Sequence, residues 1–396
     1  MNIKIFGPPV ERAVEQMERC AGPLASAAVL CADHHVGYSQ PIGGAVAYPG
    51  HISPSGVGYD IACGNKAVLT DAMIEEINVA KVMDDIAAQI GFGMGRPNPE
   101  PVDHPVLESI RKAEVRPQRL MVQSAANQLG TVGGGNHYVD LFADEKGRVW
   151  IGAHFGSRGF GHKTAKGFLN LANGKEWDDK GGEGNMDAYP TLIPTDLPLG
   201  ESYLEAMRLA GEYAYVGRDL VCEKVLSILG AKKLDEVHNH HNFAWREEHN
   251  GVEAWVVRKG CTPAFPGQRG FVGATMGDTS VILEGVDSPE SREGLYSTVH
   301  GAGRVLSRSA AAGKAKYQKG RVISRTGGVV NWPKVQEEMA SKGIELRGAA
   351  ADEAPECYKR LDEVLAYHGD TIRVLHRLRP VGVAMAGDGV DDPYKD

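Results

Sequence analysis

Glycines set in pairs and triples inside otherwise apolar segments constrain this chain more than any other feature: Gly43-Gly44, Gly133-Gly134-Gly135 and Gly327-Gly328. The 50 glycines exceed the usual share of about 7%, and they form no low-complexity linker. A chain punctuated this way makes many tight turns and close backbone approaches, as a site built from loops requires. One stretch, Gly58-Tyr59-Asp60-Ile61-Ala62-Cys63-Gly64, puts a carboxylate and a thiol three residues apart. The charge on Asp60 disfavours a neighbouring thiolate. A divalent cation reverses that and holds both groups deprotonated. Taken alone, the stretch reads as a glycine-bounded turn with a buried cysteine; histidines further along change that reading.

The net charge of −8 argues against a protein that coats long duplex nucleic acid, and leaves local binding open. From Gly294 to Gln336 there is no Asp or Glu, while Arg304, Arg308, Lys314, Lys316, Lys319, Arg321, Arg325 and Lys334 fall inside. By itself such a run is a solvated basic face. The six cysteines are dispersed and form no CxxC pair, which predicts small buried residues rather than disulfides. The start has no apolar core of signal-peptide length, and no apolar run is long enough to cross a bilayer. A cytoplasmic protein with no membrane partner is expected.

Periodicity and turn chemistry predict helices over 10–20, 74–90, 111–129, 202–229 (interrupted near Gly217), 332–341 and 352–367, with another opening after His300 and carrying Arg308. Strands are predicted at 66–70, 138–142, 149–153 and 381–385, with a hairpin at Lys146-Gly147. Residues 173–200 read as a polar insertion or lid. No linker divides the chain, because the candidate ligands come from segments far apart. The expectation is one large α/β (α+β) domain over 1–396, with a polar acidic tail at 387–396.

Asp60, Cys63, His137, His154 and one of His238, His240 or His241 mix hard oxygen, borderline nitrogen and soft sulfur. Such a set suits one or two ions of Mn or Zn type, with the thiolate as a bridge. In an extended segment His240 and His241 point opposite ways, so the three histidines cannot all serve one ion. Arg158, at the end of a predicted strand, offers a fork for phosphate. His300 stands beside Arg304 and Arg308. A lone histidine is ordinarily core or surface; in this company it is a nucleophile for phosphorus.

At these residues the sequence resembles the RtcB family of RNA-splicing ligases, from about Asp33 to about Gly387. The matching blocks are DHHVGYSQPIGG, SPSGVGYDIACG, GTVGGGNHYVD, HFGSRGFGH, His241-Asn242, RKGCTPAFPGQ and, above all, HGAGRVLSR at 300–308. The resemblance implies the family's fold around a loop-built dinuclear Mn2+ site held by Asp60, Cys63, His137, His154 and His241, with Cys63 touching both ions. It implies that His300 attacks the α-phosphorus of GTP to give a covalent histidine–GMP. GMP would pass to an RNA 3′-phosphate, the end being a 3′-phosphate or 2′,3′-cyclic phosphate, and a 5′-hydroxyl would displace it to seal the strand. Asn136, Asp140, Thr275, Ser280 and Gly301-Ala302-Gly303 would contact nucleotide. Arg158, Lys259, Arg304 and Arg308 would bind phosphates of nucleotide or nucleic acid. An activator protein is a further implied partner.

Two positions depart from the family pattern. Asp140 stands where the family usually has a Glu that reads the guanine edge, and Met385 stands where it has a Lys near the base; Lys395 in the tail is a candidate replacement. Base choice and the sealing step stay open on that account. Three alternatives follow: a nucleotidyltransferase that caps 3′-phosphate ends of RNA or DNA without joining, a metal-dependent phosphoesterase that needs no His300, and a nucleic-acid-binding protein without catalysis.

Overall fold

A computed structural model describes residues 2–180, 185–318 and 321–387. The tail beyond Gly387, with Lys395 in it, and Lys319 of the basic run lie outside the described residues. The architecture is mixed α/β with several sheets. The largest sheet runs in the order Arg269–Val272, Ser280–Gly285, Ile372–Met385, Tyr138–Ala143, Arg148–Phe155, Gly64–Met73, Lys233–His240, with Glu345–Arg347 added in parallel beside Ile372–Met385. The other pairings are antiparallel. The strand Arg148–Phe155 is buried over nearly its whole length, as its central place in the order demands.

Register brings the functional segments to one end of this sheet. His154 faces both Asn65 and Tyr138, Gly64 faces Phe155 and His240, and Met385 faces Tyr138. Side chains draw the first strand of the order back against the last two: Asn65 Nδ2 donates to Phe271 O at 2.9 Å, and the Phe271 N–H donates to Asn239 Oδ1 at 3.4 Å. A second, five-stranded sheet has the order Ile3–Ile5, Ala27–His35, Ile42–Tyr48, Val252–Lys259, Asn242–His249. Its first pair is parallel and the rest antiparallel. His241 is the one residue between Lys233–His240 of the large sheet and Asn242–His249 of the second. The chain changes sheets at that histidine.

The helix Pro198–Leu229 is continuous. Gly217 does not interrupt it; a Cβ there would stand 3.3 Å from Phe155 Cε2, so the missing side chain serves close packing on the sheet. Val221 and Val225 are fully buried in the cluster that holds Ile151 and Phe155, each gaining about 1.5–3 kcal/mol from burial. The helix stops at Gly230, φ 65°, ψ 24°, where the Ala231 N–H closes back on Leu226 O at 3.1 Å.

The helix expected over 332–341 is found as Trp332–Ser341, but others are shorter than expected. The expected helix over 111–129 is two pieces, Arg116–Leu120 and Val122–Gln128, preceded by a separate helix Pro105–Arg111 that ends where it was to begin. Pro117 cannot continue a helix from upstream, and Arg119 Nη1 takes the carbonyls of Ala113 and Glu114 left at the break, at 2.6 and 2.9 Å. Residues 352–367 hold 3-10 turns and only Leu361–Ala366 as α-helix. His300 opens no helix; the next one is Arg308–Ala312. Among the described residues no helix is long and apolar enough to cross a membrane.

Candidate metal and nucleotide site

The turn Asp60–Gly64 is fixed before any ligand is considered. The Cys63 N–H closes on Asp60 O at 3.1 Å, the Ala62 N–H donates to Asn242 O at 2.7 Å, and Ala62 sits at φ 61°, a left-handed conformation uncommon outside glycine. Cys63 Sγ then lies 3.2 Å from His154 Nε2 and 3.6 Å from His137 Nε2. His137 Nε2 is 3.1 Å from Asp60 Oδ2. The His241 ring is 5.1 Å from that of His154 and 4.9 Å from that of His300, centroid to centroid. Two glycines make room: a side chain at Gly156 would collide with the Asp60 carboxylate, and one at Gly133 with His137 Nδ1.

Of the three histidines at 238–241, only His241 joins this group. The other two face the buried guanidinium of Arg218, which donates to His238 Nε2 at 2.9 Å and meets His240 Nδ1 at 3.0 Å. Arg218 also ties Ala62 O and Phe155 O, at 3.0 and 2.5 Å. It positions both the turn and the strand end that carry candidate ligands.

Burial pushes the Cys63 thiol pKa well up, and the Asp60 charge adds to it. Burial pushes His154 and His241 well down, and neighbouring histidines and Arg218 add to that. Both imidazoles are therefore neutral lone-pair donors. Among the described residues, Nδ1 of His137 and of His241 are buried without a hydrogen-bond partner, a condition that costs about 1–3 kcal/mol per group. The sulfur, nitrogen and carboxylate donors fit one or two divalent cations, and a cation would also remove the penalty on the thiolate.

His300 is held from behind. Asp33 Oδ2, fully buried, accepts from His300 Nδ1 at 2.7 Å, from the His300 N–H at 3.0 Å and from the Gly301 N–H at 3.3 Å. Burial alone would raise the Asp33 pKa, but the charge and hydrogen bonds of His300 pull it below the ordinary value. An ionised carboxylate only accepts, so Nδ1 is the ring nitrogen that donates to Asp33. Asp33 was not singled out in the sequence, where it stands before two histidines with no local sign of its partner 267 residues on.

Two cavities meet at His300. One, of about 800 Å³, is lined by Asp60, Cys63, His137, His154, His241, Arg158 and Lys259. The other, of about 510 Å³, is lined by Thr275, Gly301, Ala302 and Gly303, with Asp140 and Met385 in its wall. Asn136, His154, His300 and Arg308 line both. Ser280 lines neither; its buried Oγ accepts from the Ala274 N–H at 2.9 Å and so supports the loop carrying Thr275. Burial pushes the Asp140 pKa well up, and only the Ala384 backbone N–H opposes this.

The basic residues expected on phosphate have protein partners. Arg304 donates to Tyr358 Oη at 2.7 Å and Asp352 O at 2.8 Å, and Arg308 pairs with Asp352 at 3.0 Å and with Glu353. Arg158 donates to Gly93 O at 2.9 Å, and Lys259 to Tyr38 O at 2.7 Å. Asp352, Glu353 and Tyr358 had no motif to mark them.

The sequence profile described as tRNA-splicing ligase RtcB matches residues 16–116 and 109–386. The chain belongs to the RtcB family. It is 30% identical over 383 residues to RNA-splicing ligase RtcB of Escherichia coli (strain K12), covering 88% of this chain and 87% of that protein. It is also 30% identical over 441 residues to tRNA-splicing ligase RtcB of Pyrobaculum aerophilum, covering 90% and 87%. RtcB membership thus spans the segments that carry Asp60, Cys63, the site histidines and Asp33.

Proposed function

We propose that this chain is a GTP-dependent RNA ligase of one catalytic domain, joining a 3′-phosphate or 2′,3′-cyclic phosphate end to a 5′-hydroxyl. The observation that carries this reading is the Asp33–His300 hydrogen bond of 2.7 Å at a histidine shared by the ligand-lined cleft and the smaller cavity. Asp33 holds the Nδ1 proton, and Nε2 attacks the α-phosphorus of GTP. The N–P bond forms as the bond to the bridging oxygen of the β-phosphate breaks, and pyrophosphate leaves. An oxygen of the RNA 3′-phosphate then takes GMP from His300, and a 5′-hydroxyl displaces GMP as the strand closes. Asp60, Cys63, His137, His154 and His241 would hold two Mn2+ ions, whose positive charge offsets that of the phosphates. Asn136, Thr275 and the Gly301–Gly303 backbone would contact the nucleotide, with Ser280 acting through its loop; Arg158 and Lys259 would serve phosphates, and Arg304 and Arg308 would do so only by exchanging a carboxylate partner.

Capping of a 3′-phosphate end without joining is a second reading. It is favoured by Asp140 and Met385 in the cavity wall, where a weaker hold on the nucleotide would leave the sealing step compromised. Intact mass after incubation with Mn2+ and each of the four nucleoside triphosphates tests both. A GMP-sized adduct that disappears in His300→Ala supports nucleotidyl transfer, and a 5′-hydroxyl acceptor strand then separates joining from capping. Phosphate-ester hydrolysis retained in His300→Ala would instead point to a metal-dependent phosphoesterase.

A further inference from the structure

A third cavity, of about 740 Å³, opens beside the ligand-lined cleft. The two share Tyr38, Gly58, Tyr59 and Lys259 as walls, so they meet at the turn that leads into Asp60. Lys166 and Lys175 add to Lys259, and Tyr59 and Tyr189 add aromatic faces. Among the described residues no Asp or Glu lines this groove, in a chain where 51 acidic residues outnumber 43 basic ones. Tyr189 is 76% exposed, an aromatic ring offered to water. Tyr59 is oriented by stacking on the His162 ring, 5.3 Å between centroids.

Cations for phosphates beside ring planes for bases are what a single strand needs, because every base has a π-face whatever its identity. An acidic peptide would use the lysines but not the rings. We infer that this groove binds the single-stranded nucleotides next to the reacting 3′ end and leads that end into the Asp60–Cys63 cleft. The inference rests on reading the cleft as a 3′-phosphate end-processing centre. A strand lying here reaches the cleft past Lys259 and Tyr59, while the smaller cavity on the far side of His300 stays open to the nucleotide.

Binding of labelled single-stranded 3′-phosphate oligonucleotides to the His300→Ala chain, with RNA and DNA in separate arms, tests this without turnover. Adding Tyr189→Ala should weaken binding about ten-fold, the worth of one base–aromatic stack, and Tyr189→Trp should restore it. Lys166→Gln with Lys175→Gln should lower the salt dependence by about two phosphate contacts. Loss confined to the RNA arm assigns the groove to RNA, and loss in both arms assigns it to either strand. Affinity unchanged by both the tyrosine and the lysine variants overturns the inference. So does an acidic peptide that competes as well as the oligonucleotide while Tyr189→Ala has no effect. Absence of any nucleotide adduct on the wild-type chain would sink the ligase reading instead, and the Tyr189 and lysine variants would still report on the groove.

Discussion

The two regions flanking His300 pair their charged groups differently. On the cleft side, His137 and His241 each bury an Nδ1 without a partner among the described residues, and a thiol is set beside a carboxylate that disfavours its ionisation. On the other side Arg304, and on the border between the two Arg308, are tied to Asp352, Glu353 and Tyr358. Both regions are rich in titratable groups, and both bury unpartnered polar atoms, Arg308 Nε among them; the difference is in which groups already have ionic partners. The cleft gathers sulfur and imidazole donors around one carboxylate. In the arginine cluster the guanidinium ends are held by Asp352 and Glu353, and a phosphate that used either of them would have to compete with a buried carboxylate.

The largest expected effect is on the histidine between the two regions. Asp33→Asn keeps the shape but allows the wrong imidazole tautomer, and the rate of nucleotide-adduct formation should fall by about 10⁴, the loss seen when a comparable orienting aspartate is replaced in a catalytic triad. An unchanged rate by mass spectrometry would mean that Asp33 only packs. Next is Glu353→Ala, which leaves Arg308 short of one carboxylate. Breaking a buried ion pair costs about 3–5 kcal/mol, to be read from denaturant unfolding. A loss well under that, with nucleotide binding improved, would break the comparison by making Arg308 a phosphate ligand held in reserve.

A smaller effect comes from a buried histidine outside both regions. His368 accepts from the Ala32 N–H at 3.1 Å and stacks on Phe6, and burial pushes its pKa down to about 4. The folded state therefore resists its protonation. Stability is full above the unfolded value of about 6.5 and falls as the pH drops from there to about 4, by up to about 3 kcal/mol. His368→Gln should flatten that part of the stability–pH curve. A curve unchanged by the substitution would assign the acid sensitivity to the cleft histidines, and so sharpen the contrast drawn above.

What could be read in advance follows the same division. That Asp60, Cys63, His137 and His154 gather in one cleft was legible because each is a chemically distinctive residue in a glycine-rich setting, and the place of His300 beside them because it stands in a long motif. The choice of His241 over its neighbours follows from a property no window of sequence carries: it is the residue at which the chain leaves one sheet for another. Arg218 was invisible inside a long helix, where a single arginine ordinarily faces water, and its four partners come from three distant segments. The strands Gly64–Met73 and Arg148–Phe155 were expected with short bounds, because pairing continues past the apolar run, and 381–385 is only the buried end of Ile372–Met385, whose first half is largely half-buried. The helix expected over 111–129 is broken because Pro117 cannot continue a helix from upstream, whatever the periodicity around it.

The Asp33–His300 bond joins the second strand of the chain to a loop near its last quarter. During synthesis, the segments bearing Asp60, Cys63, His137, His154 and His241 leave the ribosome before His300 does. Asp33 waits through all of them for the histidine it orients. A growing chain thus contains every candidate ligand of the cleft before it contains His300. On the ligase reading, the residue that takes up nucleotide is made after those that would position the substrate.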